Sequence, residues 1–167
     1  MTPDCWCLSR GLPTCEGATV PTLLTLPDVR QRHPHDCGAA AYACVVGYLL
    51  GKRQRIGADP HDGVHPFELE PALRRAGLAT VSGSMTLADL AHHQRRGRPV
   101  CCLIRTDDGG HWVVSRGVTA TRVHFHDPAC GFRWLSHADW LTAWHDQDRH
   151  GTVFRAHGVA AWMEVPA

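Results

Sequence analysis

The run from Cys37 to Leu50 constrains the fold more than any other part of the chain. Ala41, Cys44, Val45, Tyr48 and Leu49 recur at helical spacing, which predicts a buried helix with Cys37 in its first turn and Gly51 placed to end it. Burying such a helix takes a real core. At 167 residues the chain is long enough to supply one as a single domain.

Elements to pack around that helix can be read on either side. Met1 to Leu26 has no sustained period and carries Pro3, Pro13 and Pro21, so residues 1–26 read as an N-terminal arm and residues 27–167 as the domain. After a polar, turn-rich loop from Lys52 to Pro66, Phe67, Leu69, Leu73 and Ala76 support a second helix ending at Gly77, followed by a short strand from Leu78 to Ser82. Thr86, with Asp89 three residues on, is the start signal of a third helix that stops before Gly97. Pro99–Arg105, His111–Val118, Thr121–His126 and Phe132–Leu135 are β-branched or aromatic runs punctuated by Gly, Asp and Pro, the pattern of an antiparallel sheet. Ser136 caps a helix through Trp144, and Val159 to Val165 offers a closing strand. Helices first and strands second predict an α+β fold, with an N-terminal helical lobe, a C-terminal antiparallel β lobe and a cleft between them.

Charge removes several classes of function. A net charge of +1 gives no electrostatic footprint for nucleic acid or an anionic membrane, and Arg95-Arg96-Gly97-Arg98 reads as a solvated helix end. No apolar run approaches the roughly 20 residues that span a bilayer, and the first residues lack the basic and apolar regions of a signal peptide, so a cytoplasmic protein without stable membrane insertion is expected. Of the eight cysteines, Cys44, Cys101 and Cys102 fall in apolar patterns and read as core. Cys5-Trp6-Cys7 with Cys15 lacks the second close pair that zinc sites draw on, so neither metal nor cofactor is called for. A disulfide within the arm is an equal reading of those three residues.

What remains is a set of residue types that amide hydrolysis by a thiolate requires: a nucleophile, a base, a group that orients the base, and donors for the oxyanion. Cys37 stands at a helix start, where unpaired N–H groups and the dipole favour thiolate over thiol. His111 follows Gly109-Gly110, which lets its backbone approach a cleft, and Asp127 ends the next strand of the hairpin with Pro128 fixing the backbone after it. Gln31, six residues before Cys37, is placed to donate its side-chain amide beside the Cys37 N–H. Each residue alone has an ordinary structural reading. Their combination and order point to a cysteine peptidase, with Trp112 either shielding the His–Asp pair or simply part of the core.

The block Gln31 to Gly38 with its Ala-rich helix, His111-Trp112-Val113-Val114, Asp127-Pro128, Gly131 and the helix Ser136 to Trp144 resemble the double-glycine leader peptidases. These are papain-like domains usually fused to bacteriocin-exporting ABC transporters. The resemblance spans about Val29 to Trp144 and implies a papain-like fold, cleavage after a Gly-Gly or Gly-Ala motif that ends a leader peptide, and the roles just given to Cys37, His111, Asp127 and Gln31. The expected partner is therefore a peptide with a small-residue motif. The chain carries no membrane or nucleotide-binding domain, so coupling to export would need a separate ABC transporter. Two other activities fit the same residues: acyl transfer, with an amine replacing water, and a non-catalytic module that binds leader peptides.

Overall fold

A computed structural model describes residues 22–164. In chain order the elements are α1 (Cys37–Leu50), α2 (Pro66–Arg75), β1 (Ala79–Ser84), α3 (Leu87–Arg95), β2 (Val100–Thr106), β3 (Gly109–Val118), β4 (Arg122–Asp127), β5 (Gly131–Ser136), α4 (His137–Ala143), β6 (His145–Gln147), β7 (Val153–Arg155) and β8 (His157–Trp162). The strands form one six-stranded sheet in the order β1-β8-β2-β3-β4-β5, with β6 and β7 as a separate pair. Every pairing is antiparallel.

The sheet is apolar on both faces, and each face buries a different pair of helices. Cys101, Leu103, Trp112, Val114, Val159 and Ala161 pack against α1 and α2, in a core that includes Ala41, Cys44, Val45, Leu69 and Leu73. Cys102, Ile104, Val113, Phe125 and Ala160 pack beneath Leu90 of α3 and beneath Trp140 and Trp144 at α4. The alternation is that of strands, where neighbouring residues point to opposite faces. It leaves Cys44, Cys101 and Cys102 fully buried, as their apolar context predicts.

The fold is α+β, and α1 ends at Gly51 in the left-handed region (φ 64°) as expected. The order of elements is more mixed than helices followed by strands: β1 precedes α3 and lies at the sheet edge beside β8, which returns from the end of the described chain. The closing strand runs from His157 to Trp162; Val165 lies outside the described residues. The packed chain also begins before Pro27, because Leu24 and Leu26 are buried in the α1 core and the Leu24 N–H donates to Arg116 O at 2.9 Å. Of the arm, only residues 22–26 are described; Cys5, Cys7 and Cys15 lie outside.

Candidate active site

Three of the four helices start with a side-chain cap. His65 accepts from Phe67 N at α2, Thr86 from Asp89 N at α3 and Ser136 from Asp139 N at α4. α1 does not: Asp36 stands at its N-cap without a capping bond, and the N–H groups of Cys37, Gly38 and Ala39 have no hydrogen-bond partner among the described residues. A helix start left open in this way is a cluster of free donors at the positive end of the dipole, and Cys37 is its first residue.

β3 and β4 bring the other two groups together. His111 Nε2 lies 2.8 Å from Asp127 Oδ1, and both side chains are nearly enclosed. Asp127 Oδ1 also accepts from Ala129 N at 2.8 Å, a bond within the Asp-Pro turn that fixes the carboxylate. With Nε2 occupied by Asp127, Nδ1 is the ring nitrogen left free, and Cys37 is close enough to the imidazole to act on its pKa. Burial penalises the charged ring, yet its hydrogen bonds to Asp127 and Cys37 and their electrostatic attraction outweigh it, and the His111 pKa is raised to about 9. Burial opposes ionisation of Asp127 as well, but His111 and the Ala129 N–H hold it below the ordinary carboxylate value. The arrangement therefore favours an imidazolium at neutral pH, clamped between a carboxylate and a sulfur.

Gln31 is beside this group in a different posture from the one expected. Its backbone N–H donates to Pro128 O at 3.0 Å, tying the segment to the Asp127 turn. Its side-chain Nε2 donates to His33 O at 3.0 Å and approaches Pro34 O at 3.4 Å, while Oε1 is buried with no partner. The carboxamide thus folds onto the turn that leads into Cys37 instead of presenting a free N–H. Such a turn is invisible to spacing arguments.

Several residues that frame the site carry no sequence motif. The Trp112 indole N–H donates to Val64 O at 2.8 Å, and both side chains close on Gly38, where a Cβ would sit 2.5 Å from Val64 Cβ and 3.0 Å from Trp112 Cδ1. Trp112 is therefore a wall that pins the loop before α2 to the start of α1. Beyond this wall opens a cleft of ≈ 810 Å³, reached from Cys37 and lined by Val64, His65, Trp112, Asp146, Asp148 and Phe154 among others. Its far side is the β6–β7 hairpin, which sequence reading left out because its strands are three residues each and mostly polar. Asp148 followed by Gly151 was the available signal: Asp148 Oδ1 accepts from His150 N and Thr152 N, an Asp-anchored turn. The hairpin is held to the loop across the cleft by His65–Asp148 (3.3 Å) and Arg149–Asp62 (2.7 Å), and to the sheet by Arg105–Asp146 (2.8 Å). Gly110 is required where it stands, since a side chain there would overlap the Asp146 carboxylate.

A second histidine–carboxylate pair secures the segment that carries Gln31. His126 is fully buried, and its Nε2 lies 2.9 Å from Asp28 Oδ1, which also accepts from Arg30 Nε at 2.6 Å. Arg30 fills the space over Gly131, whose φ is 91°. Burial pushes the His126 pKa down and outweighs Asp28, so the ring is neutral and donates one hydrogen bond.

Comparison with known proteins places this geometry. The Peptidase C39 family matches residues 25–147, and no curated protein matches. Among solved structures, the chain is similar to a double glycine motif protease from an AMS/PCAT transporter in complex with the leader peptide: 18% identity, 84% of this chain and 94% of that one, TM-score 0.61. It is also similar to the peptidase domain of Streptococcus ComA, a bi-functional ABC transporter involved in a quorum-sensing pathway: 18% identity, 83% and 98% coverage, TM-score 0.62. The Streptococcus mutans ComA peptidase domain bound to a small-molecule inhibitor gives 17% identity, 84% and 99% coverage and a TM-score of 0.58. These identities bear on the fold, which is that of papain-like peptidase domains, while the family match covers most of the chain. The protein belongs to the Peptidase C39 family and is a cysteine peptidase.

Proposed function

We propose that this peptidase cuts a leader peptide or linker after a Gly-Gly or Gly-Ala motif, with Cys37 as nucleophile, His111 as acid and base, and Asp127 as the group that orients His111. The observation that carries the assignment is the buried His111–Asp127 bond, with Cys37 close enough to His111 to help raise the pKa of its ring. Sulfur attacks the scissile carbonyl, His111 gives its proton to the leaving amine, and a thioester forms on Cys37. Water, deprotonated by the neutral His111, then attacks the thioester and returns free thiol. The uncapped N–H groups at the start of α1 face no competing acceptor and supply the oxyanion donors, Cys37 N–H first. Gln31 joins them when its carboxamide turns from the His33 and Pro34 carbonyls toward the reacting oxygen.

The small-residue motif follows from the wall beside Cys37. Val64 and Trp112 are locked by their hydrogen bond and packed to contact on Gly38, so this end of the cleft cannot widen for a large side chain. Among the described residues no helix is long and apolar enough to cross a membrane, and the relatives named above are transporter peptidase domains. The relatives support a leader peptide as the substrate and an ABC transporter as a partner. The test is cleavage of peptides that differ only at the two residues before the cut. Gly-Gly and Gly-Ala peptides are processed, a Gly-Leu peptide is not, and Cys37→Ala abolishes turnover while retaining peptide binding. Cleavage by the Cys37→Ala protein, or indifference to those two residues, would overturn the assignment.

A further inference from the structure

β5 is an edge strand of a kind that folded proteins usually protect. It pairs with β4 alone, and apart from that ladder residues 132–135 make no backbone hydrogen bond with any other described residue. Alternate residues along an antiparallel edge point their N–H and C=O groups outward, so this strand presents a row of unused donors and acceptors. A proline and a bulge, two of the usual safeguards, are missing from Gly131–Ser136, and its one charged side chain, Arg133, lies 4.0 Å from Asp127 Oδ2. Phe132 and Trp134 are instead exposed at 48% and 50%.

Two arginines lie on the exposed aromatic rings of this edge. Arg116 lies over the Phe132 ring at 4.5 Å and Arg122 over the Trp134 ring at 3.6 Å. Neither arginine forms an ion pair with a described residue. His124, paired with Trp134 in the β4–β5 register, is kept from protonation by burial and then by these two arginines. Two guanidinium groups held over aromatic rings, Arg116 also by its Nε bond to Leu24 O at 2.9 Å, have no carboxylate of their own and are preorganised donors for carboxylates spaced along an extended chain. A second copy of this chain is a poor occupant, because pairing β5 with itself sets the arginines of this edge, Arg116, Arg122 and Arg133, against those of the other copy.

We propose that the outer edge of β5 is a docking strand for an extended, acidic peptide segment of a partner protein. The segment adds to the sheet through main-chain hydrogen bonds and sets its carboxylates on Arg116 and Arg122. This docking is separate from the chemistry at Cys37.

The test uses the full chain carrying Cys37→Ala and a fluorescent, end-blocked peptide of alternating Glu and Val, read by anisotropy. Saturable binding is expected. It weakens at least about tenfold in the Arg116→Gln/Arg122→Gln double variant and, independently, in Trp134→Ser. It is lost when one of the two sets of alternate amides in the probe is N-methylated and kept when the other is, because only one set bonds to the strand. A Lys-Val probe of the same length does not bind. Trp134→Ser is a surface substitution, whereas Arg116→Gln also gives up the bond to Leu24 O, so circular dichroism and urea unfolding check that both variants are folded. Equal binding of the Lys-Val probe, indifference to N-methylation on both sets, or tighter binding of a single-stranded oligonucleotide would each overturn the proposal. So would self-association of the chain without probe that Trp134→Ser abolishes, which would assign the edge to a second copy.

Discussion

Replacing Gly38 by alanine tests whether the wall beside Cys37 is as tight as the geometry says. The added methyl would stand 2.5 Å from Val64 Cβ and 3.0 Å from Trp112 Cδ1, where ordinary carbon contacts lie at about 3.5–4.0 Å. The loop or the indole must therefore retreat by roughly 1 Å. Neither has slack: both residues are buried, and the Trp112–Val64 hydrogen bond couples their movements. Overpacking of this kind costs about 1–3 kcal/mol, against which the helix preference for alanine over glycine returns at most about 1 kcal/mol. The expected result is a net loss of about 1–2 kcal/mol in urea unfolding, at unchanged m. The displaced groups also define the space beside the nucleophile, so kcat/KM on a Gly-Gly peptide falls further, by about tenfold or more. Gly47→Ala is the control, because in the same helix its methyl would meet only Pro27 Cγ at 3.3 Å and Lys52 O at 3.8 Å. Its stability should stay within about 0.5 kcal/mol of the parent. A Gly38→Ala protein as stable and as active as the parent would refute the argument for a rigid wall.

Four further outcomes follow from the same geometry. His111 is the acid for the leaving amine and its pKa is raised to about 9, so kcat/KM declines as pH rises through about 9. The stability it contributes is complete below the ordinary histidine pKa of about 6.5 and is lost on the same alkaline rise, a change on the order of 3 kcal/mol in pH-dependent unfolding. Asp127→Asn keeps an oxygen for the Ala129 N–H but removes the charge that holds the imidazolium, so its alkaline limb moves to lower pH by about one unit or more; an unmoved limb would remove Asp127 from its role. Asp28→Ala leaves the buried His126 Nε2–H without a partner and costs about 1–3 kcal/mol, read by thermal or urea unfolding.

Much of the fold was legible because the residues that decide it act locally. The Cys37 helix, the Thr86–Asp89 capping box and the Ser136 cap are short-range patterns, and each stands where its residues put it. The residues Cys37, His111 and Asp127 were legible as types in an order, and the structure brings them into one group. What stayed hidden depends on distant chain. The β1–β8 pairing joins residues about 80 apart and has no local signature. The His65 cap was missed because histidine is not among the usual capping residues. The β6–β7 hairpin is held by ion pairs to loops far away in sequence, and its three-residue strands carry too few residues for a period. Gln31 shows the remaining limit: its place near Cys37 was readable, but the direction of its carboxamide is set by the His33 and Pro34 carbonyls of a turn that spacing does not reveal.

The claim that Cys37 and His111 work as one unit is tested most directly by the rate at which Cys37 is alkylated at pH 6, with and without the histidine. Cys44, Cys101 and Cys102 are buried, and burial raises the pKa of each, Cys44 to about 12, so they should stay unlabelled. Cys130 is exposed beside the Asp127 turn and competes for reagent, so Cys130→Ser serves as the parent. Limiting iodoacetamide, followed by peptide mass analysis, should label Cys37 ahead of every other described cysteine. In His111→Ala the rate at Cys37 should fall by about tenfold or more, because the base that takes the proton of the nucleophile is gone. Equal rates with and without His111 would contradict the account.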